Sequence, residues 1–154
     1  MKKFSWAVLV AAAAITFSAP QAEAKVRKHH HMGGPAAVVA HIDIGQQRLY
    51  LTVQGSPYAS WAISSARPGY HTPRGTYGAI RMARVYYSKK YDNSPMPNSV
   101  FFHGGYAIHG TYHISGLGHP ASHGCVRLAP GNAAQLYSLV ARYGIGSTRI
   151  VITD

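Results

Sequence analysis

From Val38 to Asp154 the chain is written in short runs of alternating apolar and polar residues, cut every few positions by Gly or Pro, and one stretch alone carries helical spacing. Successive side chains of an extended strand point to opposite faces, so each run buries one face and is stable only when several lie side by side. The first runs are Val38-Val39-Ala40 continuing into His41-Ile42-Asp43-Ile44, then Arg48 to Val53 after a turn at Gly45-Gln46-Gln47. Tyr58 to Ser64 follows a turn at Gly55-Ser56-Pro57, and Thr76 to Val85 follows a loop punctuated by Pro68-Gly69 and Pro73-Arg74-Gly75. Val100-Phe101-Phe102-His103, Tyr106-Ala107-Ile108-His109 and Arg149 to Thr153 complete the set. These runs predict a mainly β fold, mostly antiparallel. In the exceptional stretch Pro130 stands near the start, Leu136, Leu139, Val140 and Tyr143 share one face, and Gly144 supplies the C-terminal stop. The single helix is expected to pack on the sheet rather than to carry chemistry.

Residues 1–24 read as an export signal: Lys2 and Lys3 precede an apolar stretch from Phe4 to Phe17, and Ala22-Glu23-Ala24 is a small-x-small cleavage pattern. The apolar stretch is shorter than the roughly 20 residues of a spanning helix, so no stable transmembrane anchor is expected and the protein is placed in the periplasm or cell envelope. Cleavage removes two lysines and one glutamate, lowering the formal charge of +11 by one. Such a charge draws a protein to acidic lipids or a carboxylate-bearing wall, an attraction that salt weakens, or serves only solubility. A nucleic-acid partner is excluded, because Lys and Arg are scattered singly and in pairs and export removes the chain from nucleic acid. Residues 25–37 form a basic, His-rich linker; His29-His30-His31 on such a segment are not a preorganised metal site. Residues 38–154 are enough for one domain with a modest core and too few for two.

Against this background the one cysteine stands out. Cys125 lies in Ser122-His123-Gly124-Cys125, and an unpaired thiol in an oxidising compartment is a liability unless its reactivity is used. The thiolate is the reactive form, and a neighbouring imidazole can accept the thiol proton. His103, His109, His113, His119 and His123 all precede it closely, and composition does not choose among them. Gly124 lets backbone amides approach a reacting carbonyl, as an oxyanion site requires. The same residues also fit a metal site or an inert buried thiol.

The run Tyr106-Ala107-Ile108-His109-Gly110, then Gly116, Gly118 and Ser122-His123-Gly124-Cys125-Val126-Arg127-Leu128, resembles the signature of the L,D-transpeptidase catalytic domain, also called YkuD-like. Upstream, Thr72-Pro73-Arg74-Gly75-Thr76-Tyr77 is similar to that family's TPxGxF/Y element. The resemblance spans Val38 to Thr153 and implies a β-sandwich or mixed sheet with one short helix after the catalytic loop. It places the nucleophile on Cys125 and the proton acceptor and donor on His109, with the Gly110 carbonyl orienting the imidazole. It leaves His123 lining the pocket, puts backbone amides around Gly124 and Cys125 at the oxyanion, with Ser122 as a further supporting residue, and has Arg127 brace the loop or meet a substrate carboxylate. The implied reaction uses no cofactor. Cys125 forms a thioester with a peptidoglycan tetrapeptide stem, D-alanine leaves, and an amine acceptor takes the acyl group to give a 3–3 cross-link. Other acceptors attach an envelope protein, exchange a D-amino acid or hydrolyse the thioester.

A wall- or metal-binding envelope protein with a non-catalytic thiol is the reading from another class, and a monomer is expected. The loop Tyr86 to Ser99 lies where the family covers the donor groove, but its tyrosines and lysines fit a packed, solvated loop equally well. The short stretch from Gly110 to Ser122 limits any lid and predicts an open site, and neither a wall-binding module nor a long anchor is visible.

Overall fold

The computed structural model describes residues 35–154, and the signal peptide and most of the linker expected from the sequence lie outside the described residues. The chain order is β1 (Val38–Asp43), β2 (Arg48–Val53), β3 (Ser56–Ala62), β4 (Gly75–Gly78), β5 (Arg81–Ala83), β6 (Tyr87–Ser88), β7 (Ser94–Pro95), β8 (Ser99–His103) and β9 (Tyr106–Gly110). A 3-10 turn at Ile114–Gly116 follows, then β10 (Val126–Leu128), α1 (Pro130–Tyr143), a second 3-10 turn at Ile145–Ser147 and β11 (Thr148–Thr153). Five strands form one sheet in the order β3-β2-β1-β11-β4, four form a second in the order β10-β9-β8-β5, and β6-β7 make a separate hairpin. The sheets are mixed, with β1 parallel to β11 and β9 parallel to β10; the other pairings are antiparallel.

The two larger sheets share one core. Val38, Ala40 and Ile42 of β1, Leu49 and Leu51 of β2, and Ile150 and Ile152 of β11 meet Val100 and Phe102 of β8, Ile108 of β9, and Val126 and Leu128 of β10. Fully burying each of these valine, leucine, isoleucine or phenylalanine side chains contributes about 1.5–3 kcal/mol, which is what holds short strands against their conformational entropy. Helix α1 begins with Pro130 in its first turn and ends at Gly144, which has φ 92°. It inserts Ala133, Leu136 and Val140 into the core, while Leu139 and Tyr143, expected on the buried face, are only partly covered.

Two strand boundaries differ from expectation. The turn before β3 is Gln54-Gly55, not Gly55-Ser56-Pro57: both residues have positive φ, 49° and 79°, as a two-residue hairpin whose twist suits its strands requires. The strand therefore starts at Ser56 and ends at Ala62. The run Thr76–Val85 is not one strand. β4 pairs with β11 in the five-stranded sheet and β5 with β8 in the four-stranded one, so the chain changes sheets at Ala79-Ile80. Alternation continues through such a corner, because both strands face the same core.

Beyond Ala62 the chain becomes a strap. Gln47, buried and with φ 50°, donates its side-chain amide to Ser65 Oγ and the Ile44 carbonyl, and its Oε1 accepts from Ser65 N. The strap then pairs with the cysteine segment through bridges Ser64 to Arg127 and Ala66 to Ser122. Among the described residues no helix is long and apolar enough to cross a membrane.

Candidate functional site

The four-stranded sheet has two unlike faces, and period two decides what each carries. Val100, Phe102, Ile108, Val126 and Leu128 face the main core, while Phe101 and Ala107 lie in a second, small cluster with Met96, Tyr86 and Cys125. Because β9 and β10 run parallel with Arg127 opposite His109, the odd-numbered residues Ala107, His109, Cys125 and Arg127 share that second face. His109 and Cys125, sixteen positions apart, are thus brought into one site by a parallel pairing that sequence periodicity does not display.

This face opens on a cavity of about 400 Å³ lined by His109, Ser122, His123, Cys125 and Arg127, with Thr111, Tyr112 and His113 beside them. The opposite wall is the β6–β7 hairpin: Tyr86, Ser88, Lys89, Lys90, Tyr91, Ser94, Pro95 and Met96. The stretch between Gly110 and Ser122 does not line the cavity alone: residues 86–96 line it together with Thr111, Tyr112 and His113. The hairpin is anchored where Met96 N donates to the Tyr86 carbonyl, Asn98 N to the Arg84 carbonyl and Gly110 N to the Pro97 carbonyl. Its lining role was undecided in the sequence because a tyrosine- and lysine-rich loop looks the same whether it covers a groove or solvent. Of the remaining histidines only His113 joins the cavity; His103 lies against Tyr77 and Tyr106, and His119 uses its carbonyl to accept from Ser64 Oγ.

His109 is buried, and its Nδ1 lies 2.7 Å from the Gly110 carbonyl oxygen. A carbonyl only accepts, so Nδ1 carries the hydrogen and Nε2 keeps its lone pair. Desolvation lowers the His109 pKa to about 4; the Gly110 bond opposes this and the Arg127 charge adds to it, so the ring is neutral near pH 7. Cys125 is half-buried, with Sγ 3.9 Å from the Gly105 carbonyl. Burial pushes its thiol pKa up, against weaker opposing effects of a hydrogen bond with the Ala107 backbone and the charge of Arg127. The resting pair is therefore thiol and imidazole, both uncharged.

The loop before Cys125 is fixed by few atoms. Ser122 Oγ donates to the Cys125 carbonyl at 2.6 Å and accepts from Gly124 N at 2.9 Å. Of the backbone amides around Gly124 and Cys125 expected at an oxyanion, the Gly124 N–H donates to Ser122 Oγ in this structure. Gly124 is required for another reason: at φ 129° its Cα faces the Tyr106 ring and the His71 carbonyl with no room for a Cβ. Its carbonyl accepts from Thr72 Oγ1, which in turn accepts from Ala66 N, so the Thr72-Pro73 element, the strap and the cysteine loop meet at one buried hydroxyl.

His123 is held between rings, stacked on Tyr91 at 4.2 Å and edge-on to Tyr70 at 4.7 Å. Arg67 Nη2 donates to His123 Nε2 at 2.8 Å, which occupies that lone pair. Partial burial and the charges of Arg67, Arg127 and Lys90 lower its pKa. Arg127 Nη1 donates to the Ala121 carbonyl at 3.3 Å, bracing the loop. No group of three or more potential metal ligands occurs among the described residues.

A two-sheet, mainly β domain with a thiol and an oriented neutral imidazole on one sheet face defines the class. The chain belongs to the YkuD family, L,D-transpeptidase catalytic domain, whose family model matches residues 37–152. Among solved structures it is similar to an L,D-transpeptidase from Mycobacterium smegmatis, at TM-score 0.68 and 24% identity over 77% of this chain and 59% of that one. It is similar to L,D-transpeptidase 3 from Mycobacterium tuberculosis in complex with a faropenem-derived adduct, at 0.68 and 20% over 77% and 61%. The L,D-transpeptidase from Xylanimonas cellulosilytica gives 0.66 and 26% over 78% and 62%. The chain thus spans about three fifths of the length of these relatives. No curated protein sequence matches it significantly.

Proposed function

We propose that residues 38–154 form a peptidoglycan L,D-transpeptidase domain of the cell envelope in which Cys125 is the nucleophile and His109 moves the proton. The observation that carries this reading is the Nδ1 bond of His109 to the Gly110 carbonyl, which leaves Nε2 basic on the sheet face that Cys125 shares. In the proposed reaction Sγ attacks the carbonyl joining the stem's diamino acid to its terminal D-alanine, and the thiol proton passes to His109 Nε2. The C–N bond breaks, Nε2 returns that proton to the departing amine, and a thioester remains on Cys125. An acceptor amine attacks the thioester, gives its proton to Nε2, and the thiolate leaves and is reprotonated as the new amide, a 3–3 cross-link, forms. Neutral partners suit this sequence, because charge separates only when the substrate is in place.

Incubation of the purified protein with a tetrapeptide stem and mass analysis of both protein and products tests the proposal. Wild type is expected to give a thioester mass on Cys125 and a cross-linked product, and Cys125→Ala neither. His109→Ala is expected to lose about 10²–10⁴-fold in rate while folding normally, with His123→Ala keeping a measurable fraction. A carbapenem is expected to acylate Cys125 as well. A folded wild type that gains no adduct from either reagent refutes the reading, and the reverse order of the two histidine variants refutes the assignment of the base.

A further inference from the structure

A second cavity, of about 310 Å³, adjoins the first and is lined by Ser64, Arg67, His113, Gly116, Ala121 and Arg127. Arg127 and His113 line both, so they form the partition between them. The strap and the cysteine segment place its two arginines. Ser64 and Arg127 exchange backbone hydrogen bonds at 3.0 and 2.9 Å, and Arg67 N donates to the Ser122 carbonyl at 3.0 Å. Both guanidinium groups are thereby built onto the backbone ladder that carries the Cys125 loop. They repel each other, and Lys90 adds a third cation near His123. Yet no carboxylate lines either cavity, and the one ion pair among the described residues, Arg74 with Asp154, lies elsewhere. Two arginines aimed at one cleft without an acid are unfavourable until an anion enters, and the planar fork of arginine suits a carboxylate.

We infer that the second cavity is a carboxylate-binding subsite in which Arg67 and Arg127 hold the free α-carboxylate of the peptide being cleaved. The assignment as a substrate subsite rests on the proposed transpeptidase reading. In the terminal residue of a stem peptide the carboxylate is three bonds from the carbonyl carbon that Sγ attacks, so its receptor must stand beside the thiol. Arg127 does, two residues along the same strand face. Arg67 completes the pair from the strap, and its contact with His123 and its cation–π approach to the Tyr70 ring, 4.8 Å to the centroid, hold it in place.

Two alkylating agents that differ only in charge test the subsite without any stem peptide. Iodoacetate and iodoacetamide both form an S–C bond with Cys125 and release iodide, but only iodoacetate carries a carboxylate. Relative to a small free thiol at the same pH and salt, the protein is expected to favour iodoacetate over iodoacetamide by about tenfold. Arg67→Gln is expected to remove most of that preference while the iodoacetamide rate stays within about twofold, and Arg67→Lys to restore part of it. The iodoacetamide rate guards against a misfolded or displaced thiol, which slows both reagents. A wild-type preference no greater than that of the free thiol, or one unchanged in Arg67→Gln, overturns the subsite. A preference that Arg67→Gln removes, in a protein that turns over no stem peptide, supports the subsite and refutes the transpeptidase reading instead. Turnover of a tetrapeptide and its C-terminal amide at equal rates refutes the subsite and leaves that reading standing.

Discussion

Replacing Gly124 by alanine adds one carbon at the most crowded of the described glycines. The new Cβ would lie 2.6 Å from Tyr106 Cε1 and 2.7 Å from the His71 carbonyl oxygen, both inside the closest approach of real Cβ atoms. A side chain at φ 129° costs about 1–3 kcal/mol before any clash is counted. Relief requires the loop to move off the His71 carbonyl, which strains the bonds from Thr72 Oγ1 to the Gly124 carbonyl and from Gly124 N to Ser122 Oγ, about 1 kcal/mol more. The sum is about 2–4 kcal/mol, a large part of the 5–15 kcal/mol typical of a domain, and lowers Tm by roughly 8–16 °C at this size. Urea and thermal melts of the reduced protein measure it, with the iodoacetamide rate of Cys125 reporting on the loop. Gly131→Ala is the internal control, since a Cβ there meets nothing within 4 Å and a helix prefers alanine. It is expected to leave stability unchanged or raise it by up to about 1 kcal/mol. A Gly124→Ala variant as stable as wild type, with an unaltered alkylation rate, would refute the steric argument.

Three further outcomes follow from the same site. His109 has its folded pKa depressed to about 4 from an ordinary value near 6.5, so the unfolded chain binds its proton first. Its contribution to stability is intact above pH 6.5 and is lost as pH falls from there through 4, by about 3 kcal/mol at most. Urea midpoints across that range are expected to fall less steeply in His109→Gln, and parallel slopes would contradict the buried neutral ring. The Cys125 thiol, raised by burial, is expected to alkylate along a pH profile whose midpoint lies above the usual value of about 8.5; a plateau already reached by pH 7 would mean a preformed thiolate. Thr72→Val keeps shape but orphans Ala66 N and the Gly124 carbonyl, at about 1–3 kcal/mol each. Thr72→Ser is expected to regain most of this, and equal stability of both variants with wild type would rule out the hydroxyl as the joint.

The strands were legible because burying one face of a sheet imposes period two on residues such as Arg48 to Val53 and Tyr106 to His109. Helix α1 was legible from Leu136 and Val140, with Pro130 and Gly144 marking its ends. What period two hides is where a run changes partners, so Thr76 to Val85 reads as one strand while serving two sheets. It also hides parallel pairing, which joins β9 to β10 across a loop. Cys125 and His109 were visible as residue types, and the resemblance singled out the pair from five histidines. The Gly110 carbonyl as orienting group was implied by that resemblance, and the 2.7 Å bond is present. The strap from Ser64 to Arg67 carried no signal: its partners are backbone atoms of a segment about sixty residues away, and its one conspicuous side chain, Arg67, is a cation in a chain full of them.

That abundance of cations explains the choice of a carbonyl to orient His109. A carboxylate in the place of the Gly110 oxygen would fix the same tautomer and stabilise the imidazolium more strongly, raising the base above its depressed value. It would also stand close to Arg127, whose charge already acts on His109, and would pair with it. An arginine paired inside the protein is a poor receptor for a substrate carboxylate, because the incoming anion must displace an existing one. The carbonyl supplies direction with only a partial charge, so under the inferred subsite Arg127 and Arg67 would keep their full charge for the substrate carboxylate. The cost is a resting imidazole that is a weak base beside a reluctant thiol. On the inferred arrangement that cost falls when the anionic substrate enters. Its carboxylate offsets the arginine charges that disfavour an imidazolium, and proton transfer from Cys125 becomes easier with the bound peptide than with water in the cavity.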